Sequence, residues 1–276
     1  MKEISHLFLL FLICAIVTLP LVAYTDDFLE LPKKTYKFEE WAGKDGSLKQ
    51  GVLMKEVSLT PYEVLSERSR LRTSGETILR YGLKASGKIV FEVSVFVGDT
   101  VLEAQEALLK FLAICTMTIP TGKDAGVAVG DVCFAAKDGD AVVMIAFVRN
   151  NIFIRISMIK VDETSPDIVE IAKKIDERIK SEEEVKETKD LKKPRIDFSA
   201  EKEVTGADTP VELNLKIEDS QGGTLYTEID EGGGMVYDEN GKKYFKAEKP
   251  GEYKVTIYAR SERFLVSKKS ITIKVE

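Results

Sequence analysis

Four charged side chains interrupt otherwise apolar stretches. Asp131 follows Gly130 at a strand entry, Arg149 adjoins a turn, Arg155 lies inside an apolar run, and Asp176 falls in a helix-spaced stripe. Carboxylates and guanidiniums in such company have two uses. They pair with each other to fix a sheet against a helix, because an unpaired buried charge is costly. Alternatively, they gather into an anion or carboxylate site that uses the bidentate fork of arginine.

Nothing else in the chain resolves into a catalytic constellation. His6 is the only histidine and sits in a segment with the character of an export leader, so the processed chain would carry no imidazole base, acid or metal ligand. No Gly-x-Ser-x-Gly elbow occurs. Ser157 and Lys160 match a serine–lysine pair in spacing, but on a predicted strand residues three apart face opposite sides. Zinc would have two cysteines and no histidine to draw on. Acidic turns at 138–140, 218–219, 230–231 and 238–240 lack the spaced Asp ladder of a calcium loop, and Asp and Asn favour turns in any case. No catalytic residue, cofactor or metal is therefore assigned. Carboxylate pairs of the glycosidase kind stay open as an alternative, since 46 acidic residues produce chance pairs.

Two cysteines lie beyond the leader, Cys115 and Cys133. In an oxidising compartment they are candidates for a disulfide, worth about 3 kcal/mol for a short loop in the chain-entropy account. Two buried thiols acting as small hydrophobes fit the same residues. Trp41, the only tryptophan, forms an aromatic cluster with Tyr36 and Phe38, read as a core anchor with sugar stacking as the functional version.

Residues 1–6 carry one lysine and residues 7–23 are an apolar run of 17, followed abruptly by polar residues. That is the plan of a signal peptide, and its length sits at the lower end of the roughly 17–25 residues that span a bilayer. Residues 1–23 are thus expected to be a cleaved leader or a retained N-terminal anchor. Cys14 follows bulky Ile13 in mid-run, which disfavours a lipoprotein. The formal charge is −6 without a basic block, which argues against nucleic acid as a partner. At 44% hydrophobic the chain can bury real cores.

The elements that must position these groups follow from periodicity. Residues 26–47 are mixed, 52–59 read as a short strand, and 61–70 as a helical turn or two. Residues 76–85 and 88–97 alternate around Ser86-Gly87 as a hairpin. A helix is predicted over 101–115 behind Asp99-Thr100, with Ala104, Leu108, Phe111, Leu112 and Cys115 on its core face. Strands at 129–136, 141–148 and 152–159 are separated by Asp138-Gly139 and Asn150-Asn151, residues suited to tight turns. A second helix begins near Ser165 with Pro166 in its first turn. The order β-β-α-β-β-β-α implies an α+β domain over 26–180, an antiparallel sheet with helices on one face.

Ten of the fifteen residues in 181–195 are charged, which predicts a solvated linker or helix extension with no face to bury. Everything after it is β. Val211, Leu213, Leu215 and Ile217 alternate with polar residues, as do Val255, Ile257 and Ala259, so 196–276 reads as a β-sandwich of some seven strands. Within it, EIDEGGGMVYDENGKKYFKAEKPGEYKVTIYAR (228–260) resembles the second half of bacterial immunoglobulin-like and PKD-type domains: a Gly-rich turn, a short strand, an Asn-Gly turn, then Pro-Gly-x-Tyr-x-Val. The Trp and Gly-Asp-Gly features of PKD domains are absent, so the immunoglobulin-like label is the one carried forward. The resemblance implies a tyrosine corner at Tyr253. In the first domain, GDVCFAA (130–136), VVMIAFVRNNIFIRI (142–156) and a helix ending IAKKIDERI (171–179) resemble modules of exported bacterial proteins of unknown function, which transfers no site residues.

The resulting expectation is an exported, non-catalytic binding, adhesion or spacer protein, located in the periplasm, outside the cell or anchored through its N-terminus. Its partner would be a protein or glycan of the cell envelope, with no nucleic acid and with membrane contact only through an uncleaved leader. The alternatives are a secreted hydrolase of polysaccharide or peptide using Asp and Glu of the α+β domain, and a membrane-anchored assembly partner.

Overall fold

The computed structural model describes residues 26–43, 46–159, 165–219 and 221–276. The expected leader at 1–23, with His6 and Cys14, lies outside the described residues, as does Lys160.

Helices α1 (Asp26–Thr35) and α2 (Phe38–Trp41) open the described chain, and β1 (Leu48–Lys49) follows. Next come β2 (Glu63–Arg70), β3 (Glu76–Leu83), β4 (Lys88–Val97), α3 (Val101–Ala113), α4 (Gly122–Ala125), β5 (Val132–Asp138), β6 (Ala141–Arg149), β7 (Ile152–Met158) and α5 (Ile168–Ser181). Strands β2 to β7 form one six-stranded sheet in the order β2-β3-β4-β7-β6-β5, every pair antiparallel. Helix α3 starts with a reciprocal cap. Thr100 Oγ1 accepts from the Glu103 N–H at 3.1 Å, while the Glu103 carboxylate accepts from the Asp99 N–H at 2.6 Å.

Helices on one face is the expectation that fails here. Ile145, Phe147, Ile152, Ile154 and Ile156 pack with α5 through Ile168, Ile171, Ala172, Ile175 and Ile179. Their neighbours in sequence, Ala146, Val148 and Phe153, pack on the opposite face with α3 through Ala104, Leu108, Phe111 and Leu112. The sheet is therefore a middle layer. Strands buried on both faces read as continuous apolar runs, and VVMIAFV at 142–148 is such a run.

Two local expectations also change. Residues 61–70 contain a strand, β2, and 52–59 a short 3₁₀ turn at Met54–Glu56. Strand β2 pairs with β3 alone, and half of its residues are exposed, so it lacks the apolar run that marks inner strands. Helix α5 begins at Ile168 because Asp167, not Pro166, caps it, accepting from the Val169 and Glu170 N–H groups at 2.9 and 3.2 Å.

The charged stretch after α5 is not solvated along its length. It forms β8 (Glu184–Val185), antiparallel to β1, and a 3₁₀ turn at Thr188–Asp190. Val185 and Leu191, its two large apolar residues, are buried in the α5-side core. The Gln50 side chain fastens the strap, donating to the Asp190 carbonyl at 2.7 Å and accepting from the Lys192 N–H at 2.9 Å. Two anchors among many charges suffice, because the charged side chains between them reach water.

Eight further strands build the C-terminal part: β9 (Arg195–Ala200), β10 (Val204–Thr205), β11 (Val211–Glu218), β12 (Tyr226–Asp230), β13 (Met235–Glu239), β14 (Lys242–Lys246), β15 (Gly251–Arg260) and β16 (Val266–Val275). They form two sheets, β13-β14-β11-β9 and β10-β16-β15-β12, facing each other across Phe198, Val211, Leu213, Phe245, Val255, Ile257, Ile273 and Val275. The pattern is that of an immunoglobulin-like sandwich, with its first strand divided between the two sheets so that β10 runs parallel to the last strand, β16.

The sandwich and the six-stranded sheet interlock. The β15–β16 turn carries Phe264 and Leu265 into the α5-side core, where they are 4% and 1% exposed. Gly51 admits that turn: its φ is +83°, and a Cβ there would stand 2.0 Å from the Arg263 carbonyl oxygen. Val52 N–H donates to that same oxygen at 3.2 Å. Phe264→Ala is expected to cost about 3–5 kcal/mol and to split one urea-unfolding transition into two. A single transition at an unchanged midpoint would contradict the interlock.

Candidate functional site

Three of the four charges singled out by sequence meet at the end of β6. Arg149 grips Asp176 on α5 with both arms, Nε to Oδ1 at 2.8 Å and Nη2 to Oδ2 at 2.9 Å. Its third nitrogen, Nη1, reaches Asp131 at 2.5 Å. Asp131 also accepts from the Asn150 N–H at 2.8 Å, which holds the turn where Asn150 adopts φ +54°. Lys180, one turn beyond Asp176 on α5, adds a contact at 3.1 Å. The carboxylates and cations alternate, so the cluster is neutralised internally. It clamps α5 to the sheet, and each of the three guanidinium nitrogens of Arg149 has a carboxylate partner.

Burial of Asp176 opposes its ionisation, yet hydrogen bonds from Arg149 and Lys180 outweigh burial and hold the carboxyl below its ordinary value. The Asp176 hydrogen bond is likewise the main cause raising the affinity of Arg149 for its proton.

Arg155 is not part of this cluster. It projects from the other face of β7, under α3, where Nη2 donates to Ser94 Oγ at 2.7 Å and lies 3.6 Å from Glu76. Its guanidinium sits 5.0 Å from the centre of the Phe111 ring. Residues 149 and 155 are six apart, but the Asp131 and Asp176 partners lie at the strand end on the α5 side, out of reach of Arg155.

Both cysteines are free thiols. Cys115 packs with the α3-side cluster and Cys133 with the α5-side cluster, so the sheet stands between them and no bond joins the two candidates for a disulfide. Burial pushes the thiols up, Cys115 to about 11 and Cys133 to about 12. Trp41 and Tyr36 lie in the α3-side layer, where both pack edge-on to Phe134, Trp41 Nε1 donates to the Tyr36 carbonyl at 2.8 Å, and Phe38 packs edge-on to Trp41. The Tyr253 hydroxyl donates to the Lys249 carbonyl at 2.7 Å, four residues back, at the corner before β15.

The polar groups that bind the two parts together were not apparent in the sequence. Arg260, at the end of β15, is 1% exposed. It pairs with Glu67 of β2 and is stacked between Tyr226 at 3.9 Å and Phe264 at 4.7 Å. Glu182, 6% exposed at the end of α5, takes the Leu53 N–H at 3.1 Å, Arg178 at 2.7 Å and Arg263 from the sandwich turn. Within the first part, Asn151 is fully buried and ties β1 to the end of β4, accepting from the Lys49 N–H at 2.7 Å and donating to the Gly98 carbonyl at 2.9 Å. Arg260 ends a strand whose buried side is Val255, Ile257 and Ala259, so alternation alone places it on the outer, solvent side.

Two shallow grooves flank α5. One of about 140 Å³ lies between Leu59–Tyr62 and the start of the helix, and a broader one is edged by Glu170, Lys173, Glu177 and Arg178. Their charges alternate in sign along an exposed helix face. Among the described residues no three His, Cys, Asp or Glu side chains converge on a metal-sized point.

No protein-family model matches the chain, and no curated protein matches it. Among solved structures, one from a study of the promiscuous specificity of carbohydrate-binding modules of the β-sandwich superfamily is 27% identical over 30% of this chain, with a TM-score of 0.26. The match takes in 34% of that protein's length. The PKD1 domain of Vibrio anguillarum Epp is 20% identical over 30% of this chain and 94% of its own, with a TM-score of 0.25.

Asp176→Asn leaves Arg149 with one carboxylate in a half-buried site and is expected to cost about 3 kcal/mol by thermal or urea unfolding. Because the folded-state pKa is depressed, the Asp176 contribution is complete above the unfolded value of about 4. It is lost as pH falls through the lower folded value, so the difference between wild type and D176N shrinks only in acid. A difference that vanished near neutrality would refute the assignment. Both thiols are expected to resist alkylation at pH 8 until the chain is unfolded, which mass spectrometry would read directly.

Proposed function

We propose that this chain is an exported, non-catalytic binding and spacing protein of the cell envelope. In this reading an α+β domain at 26–180 is locked to an immunoglobulin-like sandwich at 196–276, with 181–195 as the strap between them. The interlock is the observation that carries the reading. Domains joined by small polar contacts move relative to each other by default. Here Phe264 and Leu265 belong to the first domain's core, and Arg260 and Glu182 bond across the junction, which suppresses a hinge. Such a body suits presenting a surface at a fixed distance better than closing on a substrate. The charged clusters support the same view, since their arms are spent on one another.

The apolar run at 7–23 supports export, with a protein or glycan of the envelope as the partner. Fractionation of the native cells with intact-mass measurement tests the reading. Protein from the envelope or medium starting at Tyr24 would fit a cleaved leader, and protein in the membrane starting at Met1 would fit the anchored version. A chain that starts at Met1 and stays dissolved in the cytosol would refute it. Turnover of a polysaccharide or peptide, abolished by replacing one carboxylate of the α+β domain, would put the hydrolase in its place.

A further inference from the structure

We infer that the outer face of sheet β13-β14-β11-β9 binds a neutral, β-linked oligosaccharide by stacking on Tyr237 and Tyr244; this rests on the binding reading above and gives it a ligand class and a site. Strand alternation turns Val236, Phe245 and Leu213 into the sandwich. It leaves Tyr237, Tyr244 and Glu212 side by side on the other surface, in register as neighbours across three strands. The two tyrosine rings stack on each other, with centroids 5.7 Å apart and planes at 27°, and both stay partly exposed. The first domain docks elsewhere, at the ends of β12 and β15 in the opposite sheet, so it does not cover this face.

Charge decides between ligand classes. The ammonium of Lys242 and the carboxylate of Glu212, beside the rings, neutralise each other at 2.8 Å. The same face carries Glu239 opposite Lys242, Lys246 beyond Tyr244, and the opposed pairs Lys216–Asp197 and Glu218–Arg195 farther along, so cations and carboxylates balance. Its uncharged groups are the exposed part of the tyrosine pair and, one register step along, the amide of Asn214 opposite the hydroxyl of Ser199. A β-linked pyranose presents flat faces of C–H bonds to an aromatic quadrupole and hydroxyl groups around its rim. An uncharged amide and hydroxyl hydrogen-bond that rim without a desolvated ion. A polyanion would need cations in excess of carboxylates, and this face carries them in balance.

Calorimetric titration of the full chain with cellohexaose, laminarihexaose and chitohexaose tests the inference. At least one is expected to bind, with Tyr237→Ala and Tyr244→Ala each weakening it about tenfold. Tyr237→Phe keeps the ring and is expected to keep affinity within about threefold. Should an alanine variant melt early, Tyr237→Gln with Tyr244→Gln removes the rings while keeping side-chain bulk. Failure of all three sugars to bind, or binding that survives loss of both rings, overturns the site. So does a concentration-dependent dimer that the ring variants dissolve, because a second copy would then own the face. A chain found in the envelope that ignores these sugars fails this inference alone, whereas a cytosolic chain fails the reading beneath it.

Discussion

Arg260 is the side chain on which the assembly turns. A guanidinium at 1% exposure is tolerable only with compensation, and its compensation comes from three places at once. Tyr226 lies in the neighbouring strand, Phe264 in the turn that follows, and Glu67 on an edge strand of the other sheet. Burial lowers its affinity for the proton, and the Glu67 carboxylate works against that loss. The charge is therefore paired only once both parts of the chain are folded and in contact, and its Nε, buried without a hydrogen-bond partner, is left to the flanking rings. Breaking a pair of this kind costs more than making it gains, because one charge is then left buried and alone.

Glu182 repeats the logic on the other side of the plug. It closes α5, receives the backbone of the loop at Leu53 and holds Arg263 of the sandwich turn. Apolar insertion and ionic pairing thus act on the same five-residue turn. The apolar residues provide the drive, since they leave water without directional demands. The ions provide the registry, because their geometry permits one docking pose. The strap from α5 to β9, fixed by Gln50, Val185 and Leu191, limits how far the two parts could separate during folding.

Much of this architecture was legible in residue patterns, but unevenly. Inner strands announced themselves by apolar runs between turn residues, and α3 by Thr100 and its apolar spacing. The C-terminal sandwich was readable from its turns as much as its strands. The edge strand β2 was missed, since one-sided pairing leaves little apolar signature. The second helix layer was missed although VVMIAFV carried it, because a run apolar at every position was read with one buried face. In the candidate site, Arg149, Asp131 and Asp176 were chosen for standing out among apolar neighbours, and they converge. Arg155 was chosen on the same ground and faces the other layer, since parity along β7 separates it from them. Arg260 and Glu182 were invisible for the opposite reason: each looks like an ordinary surface charge until another part of the chain covers it.

The parallel pairing of β10 with β16 has a mechanical corollary. Val204 lies opposite Lys274 and Thr205 opposite Val275, with Glu276 N–H reaching the Thr205 carbonyl at 2.9 Å. Tension applied through Arg195 and Val275 pulls these two strands lengthwise past one another. Their hydrogen bonds then carry the load together instead of unzipping singly, and the resistance is set by how slowly that patch gives way.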